Sequence, residues 1–137
     1  MAISSRLIAV AAAAGLAAFA GAPVAQTPGL TRAIVQKSDV SIPGHEAVVA
    51  RVEVAAGGVA GWHTHPGDEI SYVLEGEAEL LIAGQPPRKV AAGEAFVIPA
   101  GTVHNARNSG SAPVKLVGVY VVEKGKPLAS PAPAPAQ

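Results

Sequence analysis

The chain has 137 residues, half of them hydrophobic and 4% aromatic, which is enough apolar material for one core and too little length for two ordinary domains. Ten Lys+Arg balance ten Asp+Glu, a neutrality that argues against nucleic acid or an anionic membrane surface as the main partner. Cysteine is absent, which excludes disulfides, a catalytic thiol, iron–sulfur chemistry and thiolate zinc sites.

Residues 1–25 read as a secretory signal peptide. Arg6 is the only charge, and a 14-residue apolar block runs from Leu7 to Ala20. Small-residue cleavage sites follow: Ala18-Phe19-Ala20, Ala20-Gly21-Ala22, or a cut after Ala25. The alternative is an uncleaved anchor, since the apolar run to Ala25 has 19 residues and a bilayer span needs about 20. That run is mostly Ala and no basic stop follows it, so the expectation is a periplasmic or secreted protein with no stable membrane anchor after cleavage. Nine short Val/Ile-rich segments come next: Ile34–Val40, Glu46–Val54, Gly61–His65, Ile70–Leu74, Glu77–Ile82, Arg88–Val90, Ala95–Ile98, Val103–Asn108 and Val114–Val122. Gly/Pro turns separate them, which predicts an all-β sandwich or barrel with no helix after the leader. Alternation along 46–54 puts Val48, Ala50, Val52 and Val54 on the core face and Arg51 and Glu53 outside. Residues 127–137, PLASPAPAPAQ, alternate Ala with Pro and are expected to form a disordered, solvated tail. The folded domain is therefore placed at 31–124.

Chemistry concentrates in few residues. His63 and His65 stand at i and i+2, so a strand projects both imidazoles from one face. Glu69 follows the Pro66-Gly67-Asp68 turn and is expected to open the neighbouring strand. His104 follows the Pro99-Ala100-Gly101 turn, and only a closed or strongly curved sheet brings it to the same place. Imidazoles with one carboxylate suit Mn, Fe, Co, Ni, Cu or Zn and suit Ca or Mg poorly. A lone strand His is more often a satisfied core or surface residue, and His45, in a Pro-Gly turn, is read that way. Burying several such groups together without a cation or a partner is costly, which favours a site.

The spacing Gly57-x5-His63-x-His65-x3-Glu69-x6-Gly76 resembles the first motif of the cupin superfamily at every fixed position. Gly93-x5-Pro99-x-Gly101-x2-His104-x3-Asn108 resembles the second, with sixteen residues between Gly76 and Gly93. The chain is thus similar to small single-domain bacterial cupins and to quercetin-dioxygenase-like cupin domain proteins. The resemblance implies a jelly-roll-like β-barrel of two antiparallel sheets. It implies one divalent transition metal (Mn, Fe, Cu, Ni or Zn) held by His63, His65, Glu69 and His104. By the same analogy Asn108 is a structural amide, Glu69 doubles as proton acceptor, and the protein forms a homodimer.

Strand parity and the family's pocket-wall positions nominate Ser71, Val73, Phe96, Ile98 and Ala106 as substrate contacts, with Leu80 and Ile82 as weaker candidates. Trp62 and Tyr72 are expected on the outer face or at the mouth. Asn105 and Arg107 are expected to point away from His104 into solvent or an interface. The functional expectation is a metalloenzyme of dioxygenase-like type acting on a small organic molecule. The alternative is a non-catalytic periplasmic cupin that binds or senses a metal or small ligand.

Overall fold

The computed structural model describes residues 29–136, so the expected signal peptide at 1–25 lies outside the described residues. Ten strands follow in chain order: β1 (Leu30–Asp39), β2 (His45–Val54), β3 (His63–Thr64), β4 (Asp68–Glu75), β5 (Glu77–Ile82), β6 (Arg88–Ala91), β7 (Ala95–Ile98), β8 (His104–Arg107), β9 (Val114–Glu123) and β10 (Ser130–Pro131). No helix occurs among the described residues. The strands form two five-stranded antiparallel sheets, ordered β1-β2-β9-β4-β7 and β10-β3-β8-β5-β6.

Period-two patterning builds the core. In β2, Val48, Ala50, Val52 and Val54 are buried as expected, while Arg51 is exposed. In β9 the alternation is complete, burying Val114, Leu116, Gly118, Tyr120 and Val122. These two strands pair from His45↔Glu123 to Val54↔Val114, forming the rigid middle of the first sheet. β-branched side chains suit this pleated, half-buried surface. Each fully buried Val contributes about 1.5–3 kcal/mol of transfer free energy. One core cluster gathers Val54, Val73, Ala78, Leu80, Val90, Ile98 and Val114 between the sheets, and a second lies beside it around Val48, Ala50, Val52, Leu116, Tyr120 and Val122.

Turn chemistry sets where strands reverse. Gly76 joins β4 to β5 at φ 82°, and Gly101 precedes β8 at φ 71°. Both lie in the left-handed region that favours glycine. Asn108 closes one end of the sandwich. Its buried amide donates to the carbonyls of Val54 (3.0 Å), Ala55 (3.1 Å) and Ala112 (2.8 Å) and accepts from Gly110 N (2.9 Å).

Two expectations are corrected. The disordered tail expected at 127–137 is instead partly ordered, for Ser130–Pro131 pairs with Thr64 and His63 at the edge of the second sheet. Leu128 packs on the second core cluster, and Ala132 N donates to Trp62 O at 2.9 Å. Pro-rich chain is already extended, and a sheet edge tolerates residues that lack an N–H. Asn105, expected in solvent or at an interface, is buried on β8 with its Oδ1 unpartnered.

Candidate metal centre

Three of the four chemistry-bearing side chains come from the second sheet and one from the first. His63 lies on β3 and pairs directly with His104 on β8, their ring centroids 4.2 Å apart. His65 follows one residue past β3, its ring edge-on to His63 at 4.9 Å. Glu69 does not open a neighbouring strand of the same sheet. Pro66-Gly67 carries the chain across to β4, where Glu69 pairs with Tyr120 and Ile98 of the first sheet. The carboxylate therefore faces the imidazoles across the interior. One ligand atom from each residue falls within 4.8 Å of all the others.

Backbone carbonyls fix the ring tautomers. His63 Nδ1 donates to Gly61 O at 2.7 Å, His104 Nδ1 to Thr102 O at 2.8 Å, and His65 Nδ1 to Leu128 O at 2.6 Å. A carbonyl can only accept, so each Nδ1 carries the proton and each Nε2 lone pair is left for another partner. Glu69 Oε2 sits 3.0 Å from His65 Nε2 and 3.1 Å from His104 Nε2. The His65 contact lacks hydrogen-bond alignment, and that buried Nε2 has no hydrogen-bond partner among the described residues. Lone pairs converging on a carboxylate repel unless a cation lies among them. That cation is either a second ring proton or a metal ion. The donor set fits a single divalent transition ion, with orienting carbonyls behind each imidazole.

The electrostatics agree. Burial lowers the His63 pKa to about 4, aided by the other imidazoles and opposed by the Gly61 hydrogen bond, so its nitrogen is free of the second proton at neutral pH. Burial alone would raise the Glu69 carboxyl. Contacts from His104, His65 and Ser71 outweigh it and hold the group well below the usual carboxylate range. Ser71 Oγ donates to Glu69 Oε1 at 2.6 Å, leaving Oε2 turned toward the imidazoles.

The structure distributes the expected substrate contacts. Ser71 is buried behind Glu69 and orients it. Val73 and Ile98 are sealed into the core cluster, and Ala106 is half-buried on β8. Phe96 does line a cavity of about 350 Å³, together with Leu80, Ile82, Arg88, Pro99 and Thr102. This cavity adjoins the cluster without including it: Ile82 pairs with His104, and Thr102 supplies its carbonyl. Tyr72 is exposed as expected, and Arg107 grips Glu79 through Nε (2.9 Å) and a terminal nitrogen (2.6 Å).

Sequence reasoning missed Tyr120. Its buried ring lies 4.7 Å from that of His65, with the Arg32 guanidinium 5.6 Å from the ring centre. Burial and the Glu69 charge push its hydroxyl up to about 12, with Arg32 partly opposing. The unbroken alternation of β9 was the available signal. The Leu128 carbonyl behind His65 had no signal at all.

Residues 50–122 match the family model described as Cupin domain. The chain is similar to germin-like protein subfamily 2 member 2 of Arabidopsis thaliana, 33% identical over 108 residues, covering 75% of this chain and 44% of that protein. The chain thus spans less than half the length of that curated relative. A Klebsiella pneumoniae protein with a double-stranded beta-helix domain superposes with TM-score 0.64 at 24% identity, covering 78% of this chain and 87% of the other, a likeness of fold alone. A recombinant oxalate oxidase in complex with glycolate superposes with TM-score 0.60 at 30% identity, covering 77% of this chain and 56% of that one.

Proposed function

The chain is a member of the cupin domain family, and from that footing we propose that it is an exported mononuclear metalloenzyme acting on a small organic acid by dioxygenase-like chemistry. The observation that carries this reading is the convergence of one ring nitrogen from each of three histidines and one carboxylate oxygen, within 4.8 Å of one another, with the buried His65 Nε2 left unpartnered. A divalent transition ion held by His63, His65, Glu69 and His104 supplies Lewis acidity and, where redox-active, an electron-transfer centre. Four protein donors leave room for a bidentate substrate. The chain's own residues do the rest. Ser71 pins Glu69 Oε1 and leaves Oε2 turned toward the imidazoles and a bound ion, so Glu69 would take a substrate proton only when its bond to that ion loosens. The carbonyls of Gly61, Thr102 and Leu128 hold the rings in one tautomer. Leu80, Ile82 and Phe96 supply the apolar part of the wall of the adjoining cavity, and Arg88 at the same cavity would offer a cation to an acid group. The glycolate in the similar oxalate oxidase supports a small hydroxy or dicarboxylic acid as the substrate class.

A specific observation favours a second reading, a non-catalytic binding protein. Tyr120, the titratable side chain pressed against His65 beyond the ligand set, keeps its proton up to about 12 and is a poor general acid or base. Oxygen uptake and product formation separate the two readings. Protein loaded singly with Mn²⁺, Fe²⁺, Ni²⁺, Cu²⁺ or Zn²⁺ is assayed against small hydroxy, keto and dicarboxylic acids. Turnover that disappears in Glu69→Gln supports the enzyme, whereas saturable ligand binding without turnover supports the binding protein.

Export rests on Arg6 and the apolar run from Leu7, and the N-terminal mass of secreted protein tests it. The homodimer is supported by the outer face of the first sheet, where Ile70, Tyr72, Leu74 and Val97 are exposed and Ile70 pairs with Val97. Light scattering of the native chain and of Tyr72→Glu tests that face. A dimer that the substitution dissolves supports it, and a native monomer refutes it.

A further inference from the structure

We propose that residues 127–132 form a strap that completes the metal centre by holding His65 in its ligating tautomer. The inference rests on the metal-binding reading above. The three imidazoles are oriented in two different ways. His63 and His104 each donate Nδ1–H to a carbonyl two residues back, Gly61 O and Thr102 O, so the chain leading into the ligand's own strand also sets its ring. His65 has no such local partner. Its own stretch of backbone is committed elsewhere, with His65 O accepting from Gly101 N at 2.9 Å. Its Nδ1 instead donates to Leu128 O, 63 residues away in sequence, at 2.6 Å.

The segment that brings this carbonyl is attached lightly. Leu128 lays one half-buried side chain on the second core cluster. Ser130 and Pro131 pair with Thr64 and His63, and Ala132 N donates to Trp62 O at 2.9 Å. Every one of these contacts is to the β3 segment or to the core beside it, and Pro133 and Ala134 beyond are exposed. A two-residue strand and one apolar side chain open far more readily than the paired middle of the sheet, so the strap can leave while the sandwich stays folded. When it leaves, His65 loses the acceptor that selects the Nδ1–H tautomer. Either nitrogen can then carry the proton, and the ring can turn. Groups that orient a ligating imidazole from behind are worth about 10–100-fold in metal affinity.

Two variants and two readings test the strap. The variants are the chain ended at Lys126 and full-length Ala132→Pro, which removes the N–H donated to Trp62 while keeping Leu128. The readings are the Zn²⁺ dissociation constant, by competition with a fluorescent chelator, and the tautomers of the three histidines in metal-free protein, by long-range ¹H–¹⁵N NMR. In the shortened chain the Zn²⁺ dissociation constant should rise about 10–100-fold. His65 should become a tautomer mixture while His63 and His104 stay Nδ1–H. Ala132→Pro should shift both readings the same way by a smaller factor. A folded shortened chain that binds Zn²⁺ within twofold of the full chain overturns the proposal. So does one that keeps His65 as a single Nδ1–H tautomer. If the shortened chain does not fold, the same criteria apply to Ala132→Pro. A full chain that takes up none of Zn²⁺, Mn²⁺, Fe²⁺, Ni²⁺ and Cu²⁺ refutes the metal reading instead, and the tautomers of the metal-free protein still decide the strap.

Discussion

Replacing Asn108 with Ala should weaken the fold severely and leave the metal stoichiometry intact. The Asn108 amide has two N–H groups and three carbonyl acceptors, at 2.8–3.1 Å, so one hydrogen is shared. Ala55 O also accepts from Gly58 N at 2.8 Å and stays satisfied without Asn108. Val54 O, Ala112 O and Gly110 N each lose a partner, and Val54 lies fully buried at the end of β2. At about 1 kcal/mol per lost hydrogen bond, with more for a buried carbonyl left bare, the loss is about 3 kcal/mol. That is a large share of the 5–15 kcal/mol typical of a whole domain. For a domain of this size it lowers Tm by roughly 10–20 °C. Asn108→Asp should be at least as damaging at pH 7, because a carboxylate would then face carbonyl oxygens. Urea midpoints with an unchanged m value, together with metal content at saturating metal, make the measurement. A Tm loss under 5 °C would show that Asn108 does not brace the sandwich, and metal lost from a protein of undiminished stability would show that it belongs to the site.

Two further perturbations probe how the site is positioned. Gly67→Ala would place a Cβ only 1.9 Å from Val121 O, in backbone that cannot yield, at the crossing between His65 and Glu69. It should lower both Tm and metal affinity, and a variant with native values for both would show that the crossing is looser than described. In metal-free protein His63 has a folded pKa of about 4 against 6.5 in model compounds, so the unfolded chain takes the proton first. The His63 contribution to stability should therefore fall by roughly 3 kcal/mol as pH drops from 6.5 to 4 and level off below. The share carried by Glu69, whose pKa is depressed, is lost only at still lower pH. Urea midpoints against pH for the native chain and His63→Gln should diverge across that window, and parallel curves would refute the burial of His63 as the cause.

Much of this was legible in the residues. Val/Ile alternation placed the inner face of β2, because a half-buried strand must repeat every two residues. Turn glycines marked the reversals at Gly76 and Gly101, where positive φ leaves little choice. The spacing around His63, His65, Glu69 and His104 located the centre. What escaped were relations between segments. Spacing shows that Glu69 follows a turn but not that Gly67 carries the chain into the opposite sheet, a step set by close packing on Val121. Alternating Ala and Pro says that residues 127–137 are extended but not that an open edge at β3 receives them. Parity for Val73 and the family's pocket-wall position for Ile98 put both on the interior face without separating core from cavity wall, since both are interior.

Metal content tests the central claim most directly. The full chain, purified without chelators, and the variants His65→Ala and His104→Ala are compared by plasma mass spectrometry before and after loading with a divalent transition metal. The ligand geometry predicts about one transition-metal ion per native chain, consistent with a single His₃–Glu set, and a sharp loss in both variants. A native chain that takes up no metal, or equal metal in all three proteins, would contradict it and leave the cluster a buried, proton-bridged brace between the sheets.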